Sequence, residues 1–455
     1  MDLNPRSMSS GGQTSETTRY PLIRTILSWL IDNKKIQENT ILRYLECNSD
    51  EATLEGTIKG HGILCHCCSQ IVTLVEFQAH AGSRGLDRPL ARIFDELGIS
   101  LMDYMDEAWY ITQKGIKSLE HNEIERRNKT VDEYDAACVI CANGGDLLGC
   151  ANCVSTYHLG CVGVKDVVEG NWLCPYCICK FCGKPSTYKE CLIPCSQCEK
   201  RYHWKCFQER RTGKPTYLNI TCTPVCDHTC RKVYQELLTR VAIPNELGDG
   251  YSMTLLHRIH QESEKSFDEA YRFIVGHTNL AIAKRLMEDC FYSTNDDHMT
   301  SMNLINHFIF NQESHFSIID FRGFYTAVLE KDGIIISAAS LKVHGNKFAE
   351  IPLIATCENY RNQGMCRKLM TEIESTLNHL NVENLVILST KEMVGVWMSR
   401  YGFKVIESSL AEDLMHRNAL MFHDTVRLYK RLTPIQTIER KTSPCNSDDI
   451  LEDLN

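Results

Sequence analysis

Sixteen of the chain's 24 cysteines fall between Cys138 and Cys230, and their spacing constrains the fold more than any other feature of the sequence. The order begins Cys138-x2-Cys141, Cys150-x2-Cys153, His158-x2-Cys161 and Cys174-x2-Cys177. Thiolates separated by two residues on a tight turn can share one tetrahedral ion, so four such pairs serve two zinc ions. A segment this short buries too little apolar surface to fold without its metal. One residue later the pattern restarts with Cys179-x2-Cys182, Cys195-x2-Cys198, His203-x2-Cys206 and Cys226-x3-Cys230. The last spacing is unusual, Cys222 competes with Cys226 or Cys230 for a place, and Cys191 reads as a spare thiol. The two halves are too close for a flexible hinge and are expected to form one rigid block.

Cysteine on this scale, behind an N-terminus that lacks a signal-peptide core, argues for a reducing compartment and metal binding, not disulfides. No apolar run reaches the length of a membrane span, which speaks against a membrane partner. A net charge of −9 excludes a general nucleic-acid glue and leaves direct DNA binding open. The 455 residues allow two to four domains. Residues 1–18 are rich in Ser, Thr and Gly and are expected to be disordered, and residues 120–137 read as a charged linker. Leu22, Ile23, Ile26, Leu27 and Leu30 recur at helical spacing and suit core or partner packing.

The stretch 348–370 carries a different chemistry. Ile351, Leu353, Ile354 and Ala355 suit a mostly buried strand, with Glu350 at its upstream end. Arg361, Asn362, Gln363, Gly364, Met365, Cys366 and Arg367 then bend the chain into a helix with Leu369, Met370, Ile373 and Leu377 on one face. A turn that opens a helix leaves backbone N–H groups unpartnered at the positive end of the dipole, which suits a pyrophosphate. Downstream, 385–389 reads as a strand. Upstream, 324–343 reads as a hairpin about Lys331-Asp332-Gly333, and 244–250 reads as a turn cluster closing the zinc region.

The first cysteine block resembles a PHD finger. That resemblance implies a cross-braced arrangement, with Cys138, Cys141, His158 and Cys161 on one zinc and Cys150, Cys153, Cys174 and Cys177 on the other, and Trp172 as a packed core residue. The second block resembles a divergent PHD-like finger, with sites Cys179, Cys182, His203, Cys206 and Cys195, Cys198, Cys226, Cys230, for about four zinc ions in all. Residues 50–115, with Gly62-Ile63-x-Cys65-x-Cys67-Cys68 and Phe77-x-x-His80-Ala81-Gly82, resemble the Tify-binding-like module of plant chromatin proteins. Cys65, Cys68 and His80 are candidates for a further zinc. The fourth ligand is undefined, with His66 and Cys67 both close, and a reduced cysteine cluster is the alternative.

The order acid, apolar strand, R-x-x-G-x-C-R and amphipathic helix resembles the GNAT acetyltransferases, over about 250–432. Cys366 stands where most members have Gly or Ala. The fold class so implied is multidomain α+β, a GNAT N-acetyltransferase domain preceded by small zinc-rich tandem PHD-type fingers. Residues 433–455 are expected to be a disordered tail. The resemblance implies acetyl-CoA as substrate and Glu350 as general base. Backbone groups of Ile354, Ala355 and Thr356 would lie along the pantetheine arm, with residues 361–367 at the pyrophosphate. Met398 stands where many GNAT enzymes place a Tyr acid, as in the histone-acetylating branch, which also lacks that Tyr.

Thr156 stands where methyl-lysine readers carry a cage Trp. Gly144-Gly145-Asp146-Leu147, with Glu133 and Asp135, resembles fingers that take the unmodified histone H3 terminus. The whole combination resembles a plant nuclear family of PHD-finger acetyltransferases of the increased-DNA-methylation type. It implies a nuclear, acetyl-CoA-dependent lysine acetyltransferase acting on histone tails, with chromatin or transcription cofactors bound through the N-terminal module. Two alternatives differ in class: a chromatin reader whose GNAT domain is a scaffold, and a ubiquitin ligase, since cross-braced fingers resemble RING domains.

Overall fold

The computed structural model describes residues 24–45, 52–82, 88–128, 134–164, 170–187, 190–210, 224–258, 266–291, 298–312, 321–406, 410, 414, 419–422 and 424–432. The N-terminal stretch 1–18, Leu22, Ile23, Glu133, Cys222 and the tail 433–455 lie outside these residues.

The N-terminal unit opens with α1 (Ile26–Asp32), started by a Thr25–Ser28 capping box and burying Leu27, Trp29 and Leu30. Strands β1 (Ile41–Leu45), β2 (Ala52–Lys59), β3 (Gly62–Cys65), β4 (Ile71–Val72) and β5 (Ile93–Phe94) form an antiparallel sheet in the order β4-β3-β2-β1-β5. Helix α2 (Leu74–His80) starts at a second capping box, Thr73 with Glu76. Helix α3 (Leu101–Asn128) starts at Ser100, whose Oγ accepts from the Asp103 N–H at 3.1 Å. Residues 120–128, expected as linker, therefore continue a helix. That stretch of sequence contains no Gly or Pro to break the helix.

Each finger contributes a two-stranded ribbon, β6 (Leu148–Gly149) with β7 (Thr156–Tyr157) and β8 (Leu192–Pro194) with β9 (Arg201–His203), and the second adds α4 (Trp204–Glu209). Helix α5 (His228–Arg240) leaves the second finger, capped by the Asp227 side chain, and buries Val233 and Leu237 under the C-terminal sheet.

That sheet comprises β10 (Pro244–Gly248), β11 (Tyr251–Leu256), β12 (Phe324–Lys331), β13 (Ile334–His344), β14 (Phe348–Ile351), β15 (Ile354–Thr356), β16 (Asn384–Thr390), β17 (Lys404–Val405) and β18 (Thr425–Arg431). Its order is β10-β11-β12-β13-β14-β16-β18-β17, with β15 paired to β13. The 244–250 cluster is thus a strand and a hairpin bend. Asp249 and Gly250 supply the two left-handed residues of the turn, and Pro244 is tolerated because β10 is an edge strand. The hairpin expected at 332–333 has the same form, with Asp332 and Gly333 both left-handed.

Helix α6 (Phe267–Phe291) covers one face together with α1 and α3. Leu27, Leu30, Trp109, Leu280, Ile282, Val328 and Ala338 form one continuous core there. Trp109 stacks on His277 at 4.4 Å. Helix α7 (His298–Ile309) also packs on β12. Helices α8 (Met365–His379) and α9 (Val394–Tyr401), with α5, cover the other face through Leu369, Ile373, Leu377 and Trp397. The second finger is seated against the same sheet. Gln197 Nε2 donates to the Val343 carbonyl at 2.6 Å, and Glu199 pairs with the buried Lys342 ammonium at 2.6 Å.

Candidate functional site

The structure brings the 16 finger residues together in the four sets expected. Within each of Cys138/Cys141/His158/Cys161, Cys150/Cys153/Cys174/Cys177, Cys179/Cys182/His203/Cys206 and Cys195/Cys198/Cys226/Cys230, all ligand atoms lie within 4.8 Å of one another. The two histidine sites are built alike. His158 Nδ1 lies 3.3 Å from Cys141 Sγ and 3.9 Å from Cys161 Sγ, and His203 Nδ1 lies 3.4 Å from Cys182 Sγ and 3.9 Å from Cys206 Sγ. The far nitrogens face carbonyls, His158 Nε2 to Gly144 at 3.1 Å and His203 Nε2 to Pro185 at 3.2 Å. A carbonyl only accepts, so Nε2 carries the proton and Nδ1 keeps a lone pair for a metal. This is the usual orientation of a ligating imidazole.

The all-cysteine sites are buried apart from the half-buried Cys153. Backbone N–H groups point at their sulfurs, Cys174 N to Cys150 Sγ at 3.2 Å and Cys226 N to Cys195 Sγ at 3.3 Å. Lys180 Nζ reaches Cys226 Sγ at 2.9 Å and offsets thiolate charge. Donor type, geometry and outer partners all fit tetrahedral zinc. Cys226 and Cys230 fill the last pair despite its spacing, because Asp227 caps α5 and starts a helical turn between them. Cys191 stays exposed and apart. Trp172 meets Tyr157 edge to face at 5.3 Å.

The first finger's recognition residues separate. Thr156 is buried, its hydroxyl donating to the Asp135 and Ala137 carbonyls, so no cage position is open there. Asp135 is half-buried, and burial and then the nearby Cys153 push its carboxyl above the ordinary range. Asp146 is exposed.

In the C-terminal sheet the expected single strand is split. Pro352 offers no N–H to a ladder, and the chain divides there into β14 and β15. β14 lies parallel to β16, from Phe348↔Asn384 to Ile351↔Ile387, whereas β15 pairs only with β13. The two central strands therefore splay after Ile351. The Cys357 N–H donates to Ile336 and the Ser340 N–H to Leu353, which puts Ala355 and Ala338 in the bonded register. The backbone groups of Ile354 and Thr356 then point to the opposite edge, toward the splay, while those of Ala355 face β13. The Thr356 carbonyl accepts from Arg361 Nε at 3.2 Å.

Gly364 is the N-cap of α8, left-handed at φ 83°, and no side chain caps the helix. Asn362, also left-handed, tightens the turn. Met365 and Cys366 are half-buried and pack against the core on the α8 face of the sheet. Arg367 lies over the Tyr401 ring, and Gln363 folds back onto the Asn359 carbonyl at 2.7 Å.

Glu350 is only 3% exposed. Its Oε1 lies 2.9 Å from His344 Nε2, and its Oε2 accepts from the Leu420 N–H at 2.9 Å. Burial alone would raise its pKa. The His344 hydrogen bond, the charges of His344 and Lys342, and the Leu420 N–H outweigh it and hold the carboxyl below its ordinary value. Lys342 is the direct cross-strand neighbour of Glu350 and also the partner of Glu199, so the second finger reaches within one residue pair of this carboxylate. Sequence reasoning missed His344, Leu420 and Arg427, whose guanidinium holds the Ala419 and Leu420 carbonyls.

Three family models match the chain: "PHD-finger" over 138–177, "Tify domain binding domain" over 56–108, and "Increased DNA methylation 1, C-terminal domain" over 291–431. Fold, clusters and matches thus define a multidomain protein in which a PHD finger stands between an N-terminal sheet-and-helix unit and a mixed α/β C-terminal domain. The chain is similar to Increased DNA methylation 1 of Arabidopsis thaliana, 34% identical over 419 residues, which is 90% of this chain and 34% of that relative. The chain therefore spans about a third of that relative's length. It is also similar to the protein Chromatin remodeling 4 of Arabidopsis thaliana, 40% identical over 60 residues, 13% of this chain and 3% of that one. Among solved structures it is similar to Tetrahymena GCN5, at 14% identity and a TM-score of 0.28, covering 35% of this chain and 89% of that one. A GNAT family acetyltransferase from Elizabethkingia anophelis matches at 15% identity and a TM-score of 0.24, covering 40% and 99%. No helix among the described residues is long and apolar enough to cross a membrane.

Proposed function

We propose that the chain is a nuclear, acetyl-CoA-dependent lysine N-acetyltransferase of GNAT type that acts on histone tails and is docked to them by its PHD fingers. The domain division that goes with this reading is a Tify-binding module, a PHD finger, a second divergent finger and a GNAT domain. The observation that carries it is the splay after Ile351, followed at once by the uncapped N-terminus of α8. An extended acyl-pantetheine arm suits the gap between β15 and β16 as an added strand. Its pyrophosphate suits the N–H groups of Gly364, Met365, Cys366 and Arg367 at the positive end of the helix. The unmodified histone H3 tail suits the edge of the β6–β7 ribbon beside the exposed Asp146.

In this reading Glu350 removes a proton from the lysine ammonium. The free amine attacks the thioester carbonyl, a C–N bond forms, the C–S bond breaks and CoA leaves as thiol. A lysine near pKa ~10.4 is almost wholly protonated at neutral pH, so a base is required. Glu350 is held ionised. A carboxylate offers about four acceptor positions, of which two are taken.

Titrating the full chain with acetyl-CoA and CoA, then assaying a histone H3 peptide, tests the reading. Micromolar binding and acetyl transfer are expected. Glu350→Gln is expected to leave binding unchanged and lower turnover by about 10²–10⁴-fold. Absence of acetyl-CoA binding would sink it. A second reading, a chromatin reader with a catalytically silent scaffold, is favoured by the closed pairing of Glu350 with His344 and Leu420, which is also how a purely structural carboxylate is held. It predicts no turnover, with Glu350→Gln affecting stability alone.

A further inference from the structure

We infer that the N-terminal unit holds a fifth zinc ion, bound by Cys65, Cys67, Cys68 and His80. Two independent observations carry this. The first is backbone shape. Three of the five Cys-x2-Cys loops of the fingers, those that begin at Cys138, Cys179 and Cys195, share one form: the N–H of the first cysteine donates to the carbonyl five residues on, at 2.9, 2.8 and 3.0 Å. In the same loops the carbonyl of that cysteine accepts from the residue four on, at 2.8 Å in each case. That residue is left-handed every time, as Ala142 at φ 56°, Gly183 at φ 70° and Glu199 at φ 58°.

The loop from Cys65 repeats all of this. Its N–H donates to Gln70 at 2.9 Å, its carbonyl accepts from Ser69 at 2.9 Å, and Ser69 is left-handed at φ 58°. A non-glycine residue in that region is uncommon, so its recurrence at one offset marks a shared device. The device closes a turn so that the sulfurs of residues one and four, and the N–H groups between them, face one point.

The second observation is the donor geometry. Cys65 Sγ lies 3.1 Å from Cys67 Sγ, too far for a disulfide, whose bond is about 2.05 Å. His80 Nδ1 lies 3.4 Å from Cys67 Sγ and 3.8 Å from Cys68 Sγ, close to the 3.3–3.9 Å found at the two finger histidines. Bonds of ~2.3 Å to sulfur and ~2.0 Å to nitrogen place neighbouring donors roughly 3.5–3.8 Å apart around a tetrahedral centre. Three thiolates and one imidazole form a soft, closed set that selects zinc. His80 is the last residue of α2 and Cys65 the last of β3, so the ion would tie helix to sheet. His66 belongs elsewhere, with Nε2 on Thr57 Oγ1 at 2.9 Å and Nδ1 near Glu55.

The unit's apolar side chains, among them Leu27, Leu30, Ile58, Ile63, Phe77 and Met105, belong to a large core continuous with that under α6, so loss of this ion is expected to leave it folded. The experiment is a metal count by inductively coupled plasma mass spectrometry on the full chain purified in zinc. Wild type is expected to hold five ions. Cys67→Ser and His80→Ala are each expected to hold one fewer than wild type, whereas His66→Asn and Cys191→Ser should match it. Cobalt exchange should show the sulfur-to-metal absorption of three fewer thiolates in a Cys65→Ser/Cys67→Ser/Cys68→Ser triple variant. Unchanged counts in both single ligand variants would overturn the inference. If neither variant can be purified folded, the wild-type count decides: five supports it and four overturns it. Acetyl transfer plays no part in these readouts.

Discussion

The tandem fingers and the C-terminal sheet lie against each other but are held together by different forces. In the first finger the buried cluster is Cys138, Cys150, Cys174 and Cys177 with Tyr157 and Tyr176, so most of what is buried is metal ligand. In the sheet the buried cluster is Leu255, Leu329, Leu369, Ile373, Leu377, Leu385 and their neighbours, with no ligand among them. Remove the ions and the first region keeps almost no apolar burial to offset its chain entropy, while the second keeps nearly all of its own. The boundary between the two regimes falls at α5, whose first turn supplies the ligand Cys230 and whose later turns supply Val233 and Leu237 to the sheet.

The largest expected effect tests that boundary directly. Cys195→Ser removes a ligand from the fully buried site of the second finger. Structural zinc in such modules carries about 10 kcal/mol or more of folding free energy, so this finger is expected to unfold locally. Amide exchange should rise to the unprotected rate across 190–210 while β16 keeps its protection. If β16 loses protection to the same degree, the two regions are one cooperative unit and the contrast fails.

A smaller effect is expected where the regions touch. Lys342 is 3% exposed and Glu199, on the second finger, is its partner. Glu199→Gln leaves a buried ammonium with less compensation, which typically costs about 3 kcal/mol. The loss should appear in chemical denaturation of the sheet as well as of the finger. A change confined to the finger would mean that Lys342 is sufficiently served by Glu350 and by the Phe324 ring beneath it.

The same contrast explains what the sequence made legible. Zinc ligands are read by chemistry and spacing, and all 16 finger positions meet in the expected sets. The hairpin at 332–333, the strand expected at 385–389 and the helix after Gly364 follow from turn residues and periodicity, and are found, the strand one residue longer at each end. Long-range pairing leaves no such trace. Nothing local marks Leu420 as a partner of Glu350, because it lies 70 residues away, whereas His344 is only six residues off and meets Glu350 across the antiparallel β13–β14 pair, a turn the sequence reading did not use. Cys67 was visible as a neighbour of the N-terminal cluster, but choosing it over His66 needs the direction of each side chain across β2 and β3. Pro352 stood in plain view inside an apolar run, and its missing N–H is the local cause of the split that the proposed function depends on.

The smallest effect is a difference of sign with pH. Burial, and next the charge of Glu246 on β10, push the Glu330 carboxyl up to about 7. Its Oε1 accepts from Asn279 Nδ2 at 3.2 Å. In the unfolded chain this carboxyl ionises near its ordinary value of about 4.5, so between pH ~4.5 and ~7 the unfolded state has released a proton that the folded state still holds. Sheet stability should therefore fall as pH rises through that window and then level off. Glu330→Gln should remove the penalty, gaining on the order of 1–2 kcal/mol at pH 8, after discounting for partial exposure, and nothing at pH 4. The fingers should respond the other way, since their thiolates must stay deprotonated to keep zinc and acid strips it. Acidifying from pH 8 toward 5 is thus expected to relieve one strain in the sheet while it loosens the fingers. Parallel losses in both regions, with Glu330→Gln behaving as wild type at pH 8, would show that Glu330 is well solvated and that the sheet does not share in the pH response.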